Sequence, residues 1–257
     1  MSRTAKVLDV LRLFTEQRPQ LRAADVARLL GVSSATAYRC IADLDSAGLV
    51  ERAASGQYVL GPAIVELDRQ IRINDPLIAA ATEVMHTLAE RTGGSVLLAR
   101  LHGLKVVCVH QVRGRSSPLM VSYDRGRAMP LYRGATSKVI LAHLDADALK
   151  RLVATDAAGL RKAGLPTRFD ALRDHLATIR AAKVYATAGE VDLEAMGWAA
   201  PIHDGKQLLG SLSAVVSRTT PPESGQRIAD QVLRAALRIE GRLQSAAEQT
   251  KTAGNPQ

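Results

Sequence analysis

Apolar side chains return every three or four positions at the start of the chain, at Ala5, Leu8, Leu11, Leu13 and Phe14, and predict an amphipathic helix. A second such stretch, AADVARLLGVSSATAYRCIA at 23–42, sets Val26, Leu30, Val32, Ala37 and Ile41 on shared faces. It also carries a small residue, Ala27, four positions before Gly31. Two helices that cross steeply need a small residue at their contact and a glycine in the turn between them. A helix-turn-helix is therefore expected here. Past Gly48 the pattern shortens to two strand-like runs around a Ser55–Gly56 turn. Helices followed by a hairpin predict a winged helix over residues 1–60.

The periodicity changes character downstream. Ile64, Leu67 and Ile71, with charges between them, predict a linker helix over 61–74 that breaks at Asp75–Pro76. A further helix ends at Gly93, and SVLLARLHGLKVVCVHQVRG then alternates as two strands turning at His102–Gly103. Helical spacing returns over 134–153 and 168–182. APIHDGKQLLGSLSAVVS predicts a hairpin turning at Asp204–Gly205, and 221–246 a last amphipathic helix. Strands enclosed by helices give an α+β domain over 75–246, with pockets suited to a small ligand. The polar residues 247–257 are expected to be a disordered tail.

At 257 residues and 47% hydrophobic content the chain can bury two cores, one of them small. No apolar run reaches the ~20 residues that cross a bilayer, and the N-terminus lacks the order of a secretion signal, so a cytoplasmic protein with no membrane partner is expected. Cys40 and Cys108 are far apart and in apolar surroundings, which favours buried thiols over a disulfide or metal site. Cys108 and His110 share a strand face but predict core neighbours rather than ligands; no metal or cofactor is expected. The net charge of +9 is unevenly spread: residues 1–74 hold ten Lys and Arg against eight Asp and Glu, leaving +7 for the remainder. Nucleic-acid binding therefore rests on locally placed groups rather than on overall basicity. Aromatic residues at 3% are too few for base-stacking platforms, so duplex DNA is the expected target.

Those local groups lie at the start of the second helix of the motif and on its flanks. Ser33, Ser34, Thr36, Tyr38 and Arg39 face outward on the expected recognition helix, with Arg22 and Arg52 around the docking face. Ser33 or Ser34 can cap that helix, whose free amides also suit a phosphate oxygen. The larger domain carries no G-x-S-x-G elbow, no phosphate-binding G-x-x-x-x-G-K-[ST] loop and no H-E-x-x-H helix. No catalytic residue is assigned. A metabolite-converting enzyme domain with a DNA-binding appendage is the alternative to a ligand-controlled regulator.

Five stretches in fixed order, RTAKVLDVLRLF, TAYRCIADLDSAGLVER, YVLG, MPLYRGATSKVILAHL and EVDLEAMGWAAPIHDGKQLLGSLSAVVSR, resemble the IclR family of transcriptional regulators. The resemblance implies a winged helix-turn-helix, a linker helix and a GAF-like α/β effector-binding domain that takes a small metabolite, commonly an organic or aromatic acid. It also implies homodimers or homotetramers reading a palindromic operator. Carried over by local match, the effector contacts would be Gly134, Ala135 and Thr136 as a small-residue loop, and Gly197 and Trp198 at the start of a late strand. Ser211 and Ser213 on the next strand, and Val121 and Met129 as apolar walls, would complete the set. The chain departs from the family at Tyr132, Arg133 and Met196. Arg133 could pair with a carboxylate, and Trp198 could stack on an aromatic ring.

Overall fold

A computed structural model describes residues 3–114 and 121–253. The chain divides into two compact units, 1–75 and 76–257.

In the first unit, α1 (Arg3–Arg12), α2 (Ala23–Leu30) and α3 (Ser34–Ser46) pack around Val10, Leu21, Val26, Ala37, Ile41 and Leu44. Gly31 ends α2 in the left-handed conformation at φ 62°, which costs a side chain-bearing residue energy and costs glycine almost none. The wing is an antiparallel pair, β1 (Val50–Arg52) and β2 (Tyr58–Leu60), joined through Ser55 and Gly56, both at positive φ. Backbone bonds between Leu21 and Tyr58 tie β2 to the segment ahead of α2. Next comes α4 (Ala63–Asn74), which buries no residue and leaves Val65, Leu67, Ile71 and Ile73 exposed.

The second unit is a six-stranded antiparallel sheet ordered β5-β4-β3-β8-β7-β6. Its strands are β3 (Ser95–His102), β4 (Lys105–Arg113), β5 (Ala128–Pro130), β6 (Tyr185–Ala188), β7 (Ala195–Asp204) and β8 (Gln207–Ser217). Alternation along the strands gives the sheet two apolar faces. One face, with Val96, Leu98, Ala200, Leu212 and Ala214, packs on α5 (Pro76–Thr92) and α9 (Ser224–Ala253). The other, with Leu97, Ala99 and Cys108, packs on α6 (Gly134–Ala142), α7 (Ala146–Lys162) and α8 (Phe169–Ala181).

Four expectations need correction. The helix expected over 134–153 is two helices, because the Asp145 carboxylate accepts from Ala148 N–H at 2.7 Å and caps a new start. Both long hairpins turn one residue later than expected, at Gly103–Leu104 rather than His102–Gly103 and at Gly205–Lys206 rather than Asp204–Gly205, since β3 runs through His102, β7 runs through Asp204, and Gly103 and Gly205 hold the positive φ. Residues 247–253, expected to be disordered, continue α9; 254–257 lie outside the described residues.

Candidate DNA-binding face and effector cavity

The recognition helix begins with Ser33, whose hydroxyl accepts from Thr36 N–H at 3.3 Å and meets Thr36 Oγ1 at 2.9 Å. Ser33 is thus the cap, and Ser34 is the first helical residue. Ser34, Tyr38 and Arg39 are exposed while Ala37, Cys40 and Ile41 are buried, so α3 separates cleanly into a core face and an outward face. Tyr38 is 59% exposed and presents a large aromatic surface to solvent. Arg39 reaches Thr36 Oγ1 at 3.5 Å, at the outer limit of a hydrogen bond, and is held loosely. Arg22, just ahead of α2, and Arg52, on the wing, are both exposed. Asp25 accepts from Arg22 N–H and from Arg28, which hold its carboxyl below the usual carboxylate range.

In the second unit a narrow cavity lies between the first turn of α6, the sheet and the segment after β6. About 40 Å³ is open to the centre of a water molecule, room for a few waters. Five of the expected effector residues line it: Val121, Gly134, Ala135, Thr136 and Gly197. The fold adds Leu97, Tyr123, Thr187, Glu190, Asp192 and Val215, none of which stood out in the sequence.

Four expected residues stand outside the cavity wall. Strand parity removes Trp198: Gly197 pairs with Val215 and faces the cavity, so Trp198, paired with Ala214, points to the opposite face among the α5 and α9 side chains. Met129 is buried in the α6–α8 core. Ser211 and Ser213 do face α6, but their hydroxyls are committed to it. Ser211 Oγ donates to the Thr136 carbonyl at 2.9 Å, and Thr136 Oγ1 donates to Ser213 Oγ at 2.8 Å. These serines position the first turn of α6 instead of lining the space.

That turn is where the charge is concentrated. The first amides of a helix lack intrahelical partners and attract anions. Here Gly134 N–H donates to Glu190 Oε2 at 2.9 Å, and Ala135 N–H donates to Thr187 Oγ1 at 3.0 Å. Gly134 sits at φ 75°, and a Cβ there would come within 3.0 Å of Val191, so the close approach requires glycine. The other Glu190 oxygen pairs with Lys138 Nζ at 2.6 Å; the Lys138 side chain is 6% exposed and that of Glu190 33%. Arg133 is spent on the Glu190 carbonyl, to which Nε and Nη2 donate at 3.1 and 2.6 Å. The Asp192 carboxylate accepts from Ser122 through both N–H and hydroxyl. Cys108 is no reactive thiol: burial pushes it up to about 12, and its Sγ donates to the His110 carbonyl. Among the described residues no three His, Cys, Asp or Glu side chains gather as metal ligands, and no helix is long and apolar enough to cross a membrane.

Residues 4–54 match the IclR helix-turn-helix domain, and residues 72–241 match the C-terminal domain of the bacterial transcriptional regulator IclR. The chain belongs to the IclR family. It is 32% identical over 206 residues to the glycerol operon regulatory protein of Streptomyces coelicolor, covering 77% of this chain and 78% of that one. It is also similar to the HTH-type transcriptional regulator XynR of Escherichia coli, at 28% identity, but spans only 59% of XynR's length and 58% of its own. In fold it is similar to an IclR homolog from Microbacterium hydrocarbonoxydans solved in complex with 4-hydroxybenzoate. The TM-score is 0.76 at 24% identity, over 95% of this chain and 100% of that one. This IclR-family chain is a transcriptional regulator with a helix-turn-helix DNA-binding domain and a C-terminal effector domain, built on a mixed α/β fold.

Proposed function

We propose that this IclR-family regulator binds operator DNA as a homodimer or homotetramer and is controlled by an organic or aromatic acid held at the first turn of α6. The observation that carries the reading is the ion pair there: Gly134 N–H and the buried Lys138 ammonium both hold a carboxylate, at 2.9 and 2.6 Å. A subsite that accommodates the carboxylate of Glu190 has the donors and the charge for the carboxylate of an acid. The apolar walls Leu97, Val121, Val191 and Val215 suit the rest of a small organic molecule. A related fold carrying 4-hydroxybenzoate is in keeping with that class.

On the DNA side, Arg22, Ser33, Ser34, Thr36, Tyr38, Arg39 and Arg52 are the residues we assign to the operator. Arginines and the free amides of α3 would meet phosphates, and Tyr38 and Arg39 would reach into the major groove. Acid binding would change the relative population of domain arrangements and hence whether two recognition helices can occupy successive grooves.

A gel-shift titration on the DNA flanking the protein's own gene, with and without a panel of organic and aromatic acids, tests both halves. A retarded band that moves with one acid is expected. Specific binding indifferent to every acid would remove the acid reading and leave the DNA reading standing.

A further inference from the structure

Glu190 lines two cavities at once. On its inner side is the narrow space of about 40 Å³ below α6; on its outer side is a groove of about 510 Å³ bordered by Pro130, Tyr132, Arg133, Gly159 and Lys162. At that size the inner space holds a few waters and is tight for an aromatic acid, whose entry moves part of the wall. The Glu190 carboxylate is the part of the wall that can give: its side chain is one-third exposed and is tethered by the Gly134 N–H and the Lys138 ammonium, while Arg133 holds the residue's backbone carbonyl in place.

Removing it would leave Lys138 buried at 4% exposure with no counter-ion, a state that is strongly unfavourable unless another anion replaces it. Tyr123 lines the same inner space, and its hydroxyl lies beside the fully buried hydroxyl of Ser137.

We propose that Glu190 is a displaceable internal carboxylate: it occupies the effector's anion subsite in the ligand-free protein, and an acid enters by taking its place on Gly134 N–H and Lys138 Nζ. The inference rests on the acid reading above. Glu190 swinging outward joins the groove to the inner cavity, with Arg133 and Lys162 on the approach side. The subsite then discriminates by charge. A carboxylate restores the partner that Lys138 loses, whereas a neutral amide of the same shape leaves the ammonium uncompensated.

Displacement multiplies the intrinsic affinity of the wild type by the fraction of time Glu190 is out of the subsite. Glu190→Gln keeps the shape and a hydrogen-bonding oxygen but removes the competing charge. Calorimetric titration of the full chain with 4-hydroxybenzoate and with its neutral counterpart 4-hydroxybenzamide is the test. Glu190→Gln is expected to bind the acid about tenfold tighter than wild type, with the amide changed by less than about twofold.

Acid affinity unchanged or weakened in the variant, with wild-type binding intact, overturns the displacement while leaving the acid reading in place. Binding of the amide alone, or of neither compound by either protein, overturns the acid reading and the displacement with it. Should Glu190→Gln fail to fold, the Lys138→Met, Glu190→Gln double variant, which leaves no buried charge, takes over. It is expected to lose the preference for acid over amide by about tenfold; a preserved preference overturns the role of Lys138.

Discussion

Thr136 in the first turn of α6 and Ser213 in the middle of β8 share a hydrogen bond of 2.8 Å, both side chains buried, 77 residues apart in the chain. The bond fixes the height of the helix start over the sheet, and with it the direction in which Gly134 and Ala135 present their amides. Ser213→Ala leaves a buried hydroxyl on Thr136 without its acceptor. The expected loss is about 1–3 kcal/mol of stability, read by urea denaturation. A loss below about 0.5 kcal/mol, the level of an ordinary surface change, would mean that water replaces the bond and that α6 is held by packing alone.

Gly61 is a steric requirement of the wing. Its N–H donates to the Leu49 carbonyl at 2.9 Å, and a Cβ at this position would lie 2.2 Å from the Gly48 carbonyl oxygen. Backbone cannot swing aside as a side-chain tip can. Gly61→Ala is expected to cost about 1–3 kcal/mol and to lower hydrogen-exchange protection across residues 48–63 while leaving the sheet of the second unit unchanged. Equal loss in both units would show that the substitution acts on something other than this contact.

How much of this could be read from the chain differs between the two units. The first is built from contacts close in sequence. Ala27, Gly31 and the periodic apolar residues of α2 and α3 carry the motif by themselves, and Ser33 announces its cap. The cavity below α6 is assembled from segments scattered between Leu97 and Val215, so its wall depends on register. Sequence places Gly197 and Trp198 side by side; only the pairing of Gly197 with Val215 decides which of the two faces α6. Glu190 was invisible for the same reason, lying 56 residues from the amide it holds. β5 and β6, of three and four residues, are too short for a period of two to stand out, and β5 ends in a proline. The break after α6 did have a signal, Asp145 three residues ahead of Ala148, which the continuous apolar pattern concealed.

His143 gives the effector domain a pH dependence of definite sign. Burial, together with the nearby positive charge of Arg180 and the ring of His203 at 5.1 Å, lowers its pKa below 6.5; its Nδ1 contacts the Val139 carbonyl at 2.8 Å. Below 6.5 the unfolded chain takes up a proton that the native ring resists, so stability falls as pH drops from 6.5 toward the lowered native value. Urea midpoints at pH 7.5 and 5.5 should differ less in His143→Gln than in wild type. An unchanged difference would place the pH dependence on other groups.

The outward stripe of α4 is expected to be where copies of the chain meet. Leu67 and Ile71 are four residues apart, 55% and 58% exposed, on a helix that buries nothing in its own chain. Leu67→Glu with Ile71→Glu places two charges on that stripe and should shift the oligomer distribution toward smaller species in sedimentation velocity. Retention of the wild-type distribution would assign assembly to the second unit.

Arg39 separates the DNA reading from a merely structural one. It is exposed, it makes a 3.5 Å approach to Thr36, and its guanidinium projects from the same helix as Tyr38. Its removal should therefore leave the fold intact and subtract one phosphate or base contact per recognition helix. If it meets a phosphate, Arg39→Ala weakens specific and non-specific DNA alike and reduces the slope of log affinity against log salt by about 1 per helix. If it meets a base edge, specific affinity falls by about 1–3 kcal/mol while non-specific affinity and its salt slope hardly change. Fluorescence-anisotropy titrations on operator and random duplexes at several salt concentrations distinguish the two. An unchanged affinity for both duplexes, with unfolding also unchanged, would mean that α3 does not face the DNA at this position.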